Sequence, residues 1–197
     1  MNEPNRDEQD SLDMARLADG HDAALNDLMA RHAEKLFHYL LRSLQDESDA
    51  SDLAQETFVR IYQSRAKYDR DQKFSTWLFA IASNLVRDRY RWRSRHPQVS
   101  LDAEREQTGA SFKENLEAAE PAPDAALQTE ERAEAVRKAI AALPEELRQP
   151  LILAFYQELP QAEIAAILKC TAKAVETRLY RARHQLRANL ETSLETV

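Results

Sequence analysis

The chain has 197 residues, a formal net charge of −7 and a pI near 5.3. That length suits one ordinary domain or two small ones, and two glycines among many Ala, Leu, Glu and Arg residues favour helix and disfavour a turn-rich β fold. A single cysteine, Cys170, excludes an internal disulfide, the polar acidic residues 1–13 lack a signal-peptide pattern, and no apolar run approaches a membrane span. The expected class is a cytoplasmic, all-α protein without direct membrane insertion.

Residues 1–10 are acidic and are expected to be disordered. Helical periodicity starts near Ser11. Leu25, Leu28, Met29, His32, Leu36, Tyr39 and Leu40 then follow one stripe at steps of three and four. Polar residues 45–49 interrupt it. A second helix is expected from about Asp49 to Ala66, with Leu53, Ala54, Thr57, Phe58 and Ile61 inward and Asp52, Gln55, Glu56 and Arg60 outward. A charged loop, Asp69-Arg70-Asp71-Gln72-Lys73, separates it from a third helix beginning near Phe74. Trp77, Leu78, Ile81, Ala82 and Leu85 line that helix's core face, but helix formers continue to Arg95. A helix that outruns its core must find another surface, or water. His96-Pro97 ends the unit.

From Val99 to about Ala126 no period holds, and acids, Gly109, Pro121 and Pro123 mark a flexible acidic linker, bounded here as 97–126. Helix resumes near Leu127. Pro144 opens a further segment, which Pro150 is expected to split or kink. Residues 159–170 read as a short amphipathic helix and turn. A longer helix follows, with Val175, Leu179, Ala182, Leu186 and Leu190 inward, and the unit closes at about 191 before a short tail, 192–197. The expected fold is therefore two small helical domains, 11–96 and 127–191, joined by the linker, with no further C-terminal domain.

Charge is segregated along this plan. Residues 87–95 hold five arginines against one aspartate, and residues 169–187 hold six Lys/Arg against one glutamate. Residues 101–134 hold ten acids against three bases. Two basic patches flanking an acidic strip suggest a nucleic-acid binder. The last two helices read as a helix-turn-helix, whose second member enters the major groove. Thr171 suits its N-cap, where free N–H groups can also hold a phosphate. Lys173, Thr177, Arg181 and His184 face outward, and Arg178, Arg183 and Arg187 lie within reach of a DNA backbone. A solvated basic face would show the same pattern. In the first domain Asn84, Arg87, Arg89, Tyr90, Arg91 and Trp92 interleave polar, basic and aromatic groups, which suits phosphate neutralisation and stacking on unpaired bases, and equally a basic helix tail whose rings cap the core. There is no acid/base pair for catalysis, no metal-ligand spacing and no phosphate-cradling glycine loop.

Three stretches resemble the extracytoplasmic-function sigma factors of the sigma-70 family: DASDLAQETFVRIYQ at 49–63, FSTWLFAIASNLVRDRYR at 74–91, and LPEELRQPLILAFYQELPQAEIAAILKCTAKAVETRLYRARHQL at 143–186. The resemblance covers about residues 12–96 and 127–190. It implies no catalysis and no cofactor. Core RNA polymerase, promoter DNA and an anti-sigma factor are the implied partners, and no small-molecule substrate is. It implies that Asp49, Asp52, Gln55, Glu56 and Arg60 face the polymerase clamp. Asp69, Arg70, Asp71, Gln72, Lys73, Asn84, Arg87 and Arg91 match the minus-10 readers. Thr171, Lys173, Glu176, Thr177, Arg178, Tyr180 and Arg181 fall on the minus-35 helix. The linker would thread the polymerase cleft.

The chain also departs from that pattern. Glu176 stands where a basic residue is common, and could accept from a cytosine amino group. Lys169 occupies a frequent turn-glycine position, and Glu158 and Pro160 replace the usual glycine and serine. Cys170 reads as a small turn residue, with a redox role as the sharper alternative. A stand-alone helix-turn-helix regulator and a protein-docking adaptor are the rival functions. The first would bind duplex DNA alone. The second leaves the spacing of Trp77, Asn84 and Arg91 unexplained.

Overall fold

A computed structural model describes residues 5–96 and 123–194, with side chains for 5–96 and 132–191. The first unit comprises α1 (Arg6–Ala18), α2 (Ala23–Leu44), α3 (Glu47–Ser64), a 3-10 turn (Arg65–Lys67) and α4 (Phe74–Arg95). The second comprises α5 (Pro123–Ala141), α6 (Glu145–Phe155), α7 (Gln161–Leu168) and α8 (Ala172–Leu194). No strand occurs among the described residues. The expected acidic linker falls largely on 97–122, outside the described residues.

Helix α1 begins at Arg6, within the segment expected to be disordered. Asp10, Asp13, Met14 and Leu17 share its buried face, so the two acids are core residues. Along α2 the expected stripe is buried at Leu28, His32, Leu36, Tyr39 and Leu40, but Met29 is exposed. Gln45, with φ 56°, turns the chain out of α2, its N–H bonded to the Leu41 carbonyl. Asp46 caps α3 by accepting from the Asp49 N–H at 2.9 Å. Leu53, Phe58 and Ile61 meet Phe74, Leu78, Phe79, Ala82 and Leu85 of α4 in one apolar cluster. Each leucine, isoleucine or phenylalanine among them contributes about 1.5–3 kcal/mol on full burial.

Beyond Leu85, α4 finds a polar surface. Arg89 and Arg93 donate to the two oxygens of Asp49 at 2.9 and 2.5 Å, and the Tyr90 hydroxyl donates to the Ser43 carbonyl at 2.6 Å.

In the second unit α6 runs unbroken through Pro150 to Phe155, so the expected split does not occur. The missing proline N–H leaves only the Glu146 carbonyl without its helical donor, one turn from the helix start, where Glu146 is exposed. α7 ends on Lys169 at φ 52°, ψ 49°, and the Cys170 N–H returns to the Ala165 carbonyl at 3.0 Å. Val175, Leu179 and Ala182 bury the inner stripe of α8 against α6 and α7.

The two units pack together, α6 against α2 and α7 against α4, and one apolar cluster runs through both. A buried polar seam joins them. The Gln149 side-chain oxygen accepts from the hydroxyls of Tyr39 at 3.1 Å and Ser83 at 2.5 Å. Arg148 donates to the Ser43 carbonyl at 2.8 Å, the Tyr90 hydroxyl at 2.6 Å and the Leu143 carbonyl at 2.7 Å, and also to the Ala141 carbonyl.

Candidate nucleic-acid interface

On α3 the outward positions form one face. Asp52, Gln55 and Arg60 are exposed, and Glu56 accepts from Arg60 at 2.8 Å. Asp49 does not join them. Its half-buried carboxylate is committed to Arg89 and Arg93, where it anchors the tail of α4.

The charged loop lies at the N-terminus of α4. Asp69, Arg70 and Asp71 are exposed, and Asp69 accepts from the Asp71 N–H at 3.0 Å. The loop is closed from within, where the Tyr68 hydroxyl donates to the Gln72 carbonyl at 2.6 Å. Burial, and then the charges of Asp10, Asp69 and Asp7, push the Tyr68 phenol up to about 12, so it keeps its proton at neutral pH. Lys73 pairs with Glu163 of α7 at 2.9 Å and with Asp7 of α1 at 3.7 Å, and these carboxylates raise its ammonium above the ordinary value. Asn84 accepts from Arg87 at 3.2 Å, and Arg91 lies 3.4 Å from Asp88. Tyr90 is taken up by the interior, whereas Trp92 remains 46% exposed and stacks on His96.

The start of α8 is built as a helix-turn-helix requires. Thr171 caps it by accepting from the Ala174 N–H at 3.1 Å. Lys173, Glu176, Thr177, Tyr180 and Arg181 are all exposed on one outward surface, Tyr180 at 70%. Lys173 and Glu176 pair at 2.9 Å, and the Thr177 hydroxyl returns to the Lys173 carbonyl. Arg178 points elsewhere. It reaches the Cys170 sulfur at 3.6 Å and lines a cleft between the units with Arg87, Glu145, Glu146 and Lys169.

The residues that organise these surfaces include several without a motif. Arg148, Gln149 and Glu163 tie the units together, and Asp10, Asp13, Arg31 and His32 tie α1 to α2. Acids at 10 and 13, in register with Met14 and Leu17, were the one legible sign of the second set. Among the described residues no group of His, Cys, Asp or Glu is arranged to hold a metal, and no helix is long and apolar enough to cross a membrane.

The model of Sigma-70 region 2 matches residues 28–96, and that of Sigma-70, region 4 matches 133–186. The chain is 34% identical over 172 residues to the ECF RNA polymerase sigma factor SigW of Bacillus subtilis, covering 87% of this chain and 91% of that one. It is 30% identical over 189 residues to the RNA polymerase sigma-H factor of Pseudomonas aeruginosa, covering 95% and 96%. Its fold is similar to CnrH, solved in complex with the cytosolic domain of CnrY, with a TM-score of 0.66 and 28% identity over 93% of this chain and 98% of that one. It is also similar to the sigma factor RpoE of Bartonella quintana, solved with the anti-sigma factor NepR, with a TM-score of 0.63 and 22% identity over 84% and 96%. With region 2 carrying the charged loop and long basic helix, and region 4 the capped helix-turn-helix, the chain belongs to the sigma-70 family, as an extracytoplasmic-function sigma factor.

Proposed function

We propose that this chain directs promoter-specific initiation by bacterial RNA polymerase and performs no chemistry of its own. The observation that carries this reading is the presence, in order and in one chain, of sigma-70 regions 2 and 4. Core RNA polymerase and promoter DNA are its partners, and its place of action is the cytoplasm. An anti-sigma factor is its inhibitor, a partner of the kind found with the similarly folded RpoE.

The work divides between the units. In residues 11–96, extended by the start of α1, the exposed face Asp52, Gln55, Glu56 and Arg60 meets the clamp. Asp49 supports that face from behind. The loop Asp69–Lys73 captures an unpaired base, and Asn84, Arg87 and Arg91 hold the adjacent strand. Extracting a base costs a few kcal/mol, which stacking and hydrogen bonds in the loop must return. In residues 127–191 the α8 surface of Lys173, Glu176, Thr177, Tyr180 and Arg181 reads the minus-35 groove, with the amino end of α8 at the phosphates. The acidic segment ahead of α5 is the part proposed to thread a polymerase channel. In the closed arrangement Glu163 holds Lys73, so promoter loading requires the units to part.

Glu176 carries the specificity expected to be particular to this chain. Glu176→Arg removes a base acceptor and adds a phosphate donor. It is expected to shift the preferred minus-35 sequence in run-off transcription from a randomised promoter library. An unchanged preference would show that Glu176 reads no base.

The function itself is tested by co-elution with sigma-free core polymerase, with the housekeeping sigma as competitor. Stoichiometric binding that the competitor displaces, and that the double variant Asp52→Arg/Glu56→Arg weakens at least tenfold, is the expected result. No binding at micromolar concentration, together with salt-sensitive binding of duplex DNA by the free chain, would leave the stand-alone regulator.

A further inference from the structure

Helix α1 buries two carboxylates, and both are used. Asp10 is 1% exposed and Asp13 is not exposed at all. Asp13 accepts from Arg31 at 2.6 Å and from Arg16 at 3.1 Å. Asp10 accepts from Arg31 at 2.8 Å with one oxygen, and its other oxygen lies 2.7 Å from the His32 Nε2. Arg6 adds a bond from α1 to the Arg31 carbonyl. Met14 and Leu17 supply an apolar contact as well, so the network is not the only hold on α1.

The network leads somewhere specific. The buried His32 ring stands edge-on to Phe74, with centroids 5.0 Å apart. Phe74 is the first residue of α4 and immediately follows the charged loop. It packs in turn on Tyr68 and Trp77, and Tyr68 closes the loop through the Gln72 carbonyl. The last loop residue, Lys73, also reaches back to Asp7 on α1. Both ends of the loop therefore rest on groups that α1 holds.

We propose that Asp10 and His32 are positioning residues for the 69–73 loop: the Asp10 carboxylate fixes the His32 ring, which sets Phe74 and Tyr68 and thereby the shape of the base-capturing loop. This rests on the reading of that loop as a minus-10 contact. The two residues touch no DNA. They determine how sharply one nucleotide is chosen, because a pocket held a fraction of an ångström loosely loses discrimination before it loses binding.

The test uses holoenzyme assembled from this chain and core polymerase, and a pool of single strands carrying six randomised nucleotides. Asp10→Asn cuts the charge while keeping the side chain's shape. His32→Phe keeps a ring against Phe74 while removing the bond to Asp10. Both are expected to bind core as the natural chain does and to lower enrichment of the preferred nucleotide about tenfold at one position. Gln72→Ala and Lys73→Ala are expected to affect that same position, and Leu12→Ala, on the exposed side of α1, to affect none. The proposal is overturned if the loop variants change the choice at that position while Asp10→Asn and His32→Phe do not. A uniform loss across all positions, accompanied by loss of core binding, would also overturn it, since that marks general unfolding. If the loop variants themselves change nothing, the minus-10 reading of the loop fails, and this proposal fails with it.

Discussion

Among the described residues, three side chains that are not glycine sit at positive φ: Gln45, Glu158 and Lys169. A Cβ in that region meets the following carbonyl, at a cost of about 1–2 kcal/mol. Two of them, Glu158 and Lys169, are the positions at which the sequence departs from the family's turn pattern. Both flank α7, so the departure keeps the turn and strains it. Lys169→Gly is expected to raise stability by about 1 kcal/mol, less the entropy that glycine adds to the unfolded chain. Glu158→Gly should add a similar amount. Urea titration of the single and double variants checks both values, and equal midpoints for Lys169→Gly and the natural chain would show that the turn is not strained. Lys169 also lines the cleft between the units, and a gain from glycine would indicate that its side chain is kept at a cost in stability.

Among the elements, α1 and α4 show most clearly how polar groups can do the work of a core. Helix α4 continues past Leu85 because Asp49 receives its arginines and Ser43 receives its tyrosine. Helix α1 is docked through buried acids. Burial alone would raise the Asp10 carboxyl, but the hydrogen bonds and charges of His32 and Arg31 outweigh it and hold Asp10 below its ordinary value of 3.8. A carboxyl depressed in the folded state contributes stability that is fully present above its unfolded value and is lost as pH falls through the folded one. The docking of α1 should therefore hold at neutral pH and weaken on acidification below about pH 4. Amide exchange or urea midpoints followed against pH should show that loss in the natural chain. The Asp10→Asn variant, less stable at neutral pH, should show a flatter acid limb that approaches the natural chain's, and an equally steep limb would assign the acid sensitivity to another carboxylate.

For the whole molecule the deciding feature is the seam between the units. Gln149 and Arg148 are buried in it, and four of their partners, Tyr39, Ser43, Ser83 and Tyr90, belong to the first unit. Around them lie apolar side chains of both units. Arg148→Ala would leave the Ala141 and Leu143 carbonyls and the Tyr90 hydroxyl short of a donor, while the Ser43 carbonyl keeps the Tyr90 hydroxyl, at a cost of about 1–3 kcal/mol for each buried group left unsatisfied. The expected consequence is partial separation of the units, read as an increased radius of gyration in small-angle scattering. Because separation is also what promoter loading requires, the variant should bind promoter DNA in holoenzyme no more weakly than the natural chain. An unchanged radius would show that apolar packing alone closes the molecule. The pair Lys73–Glu163 contributes less, since an exposed bridge is worth about 0–1 kcal/mol.

Periodicity and charge determined much of this protein before any fold was drawn. The stripes of α2, α3, α4 and α8, the cap at Thr171, the turn at Lys169 and the outward face at 173–181 are local matters, settled by residues within a turn or two of one another. What the sequence alone did not show are pairings across long separations. Asp10 with His32, Asp49 with Arg93, and Tyr39 with Gln149 each join residues that no helical period relates. A charge read in sequence looks solvated, as Asp10, Asp13 and Asp49 did, until a tertiary partner makes its burial affordable. The start of α1, the inward turn of Arg178 and the closure of the two units were decided there, because a buried ion or amide is stable only where the fold brings its counterpart within hydrogen-bond reach.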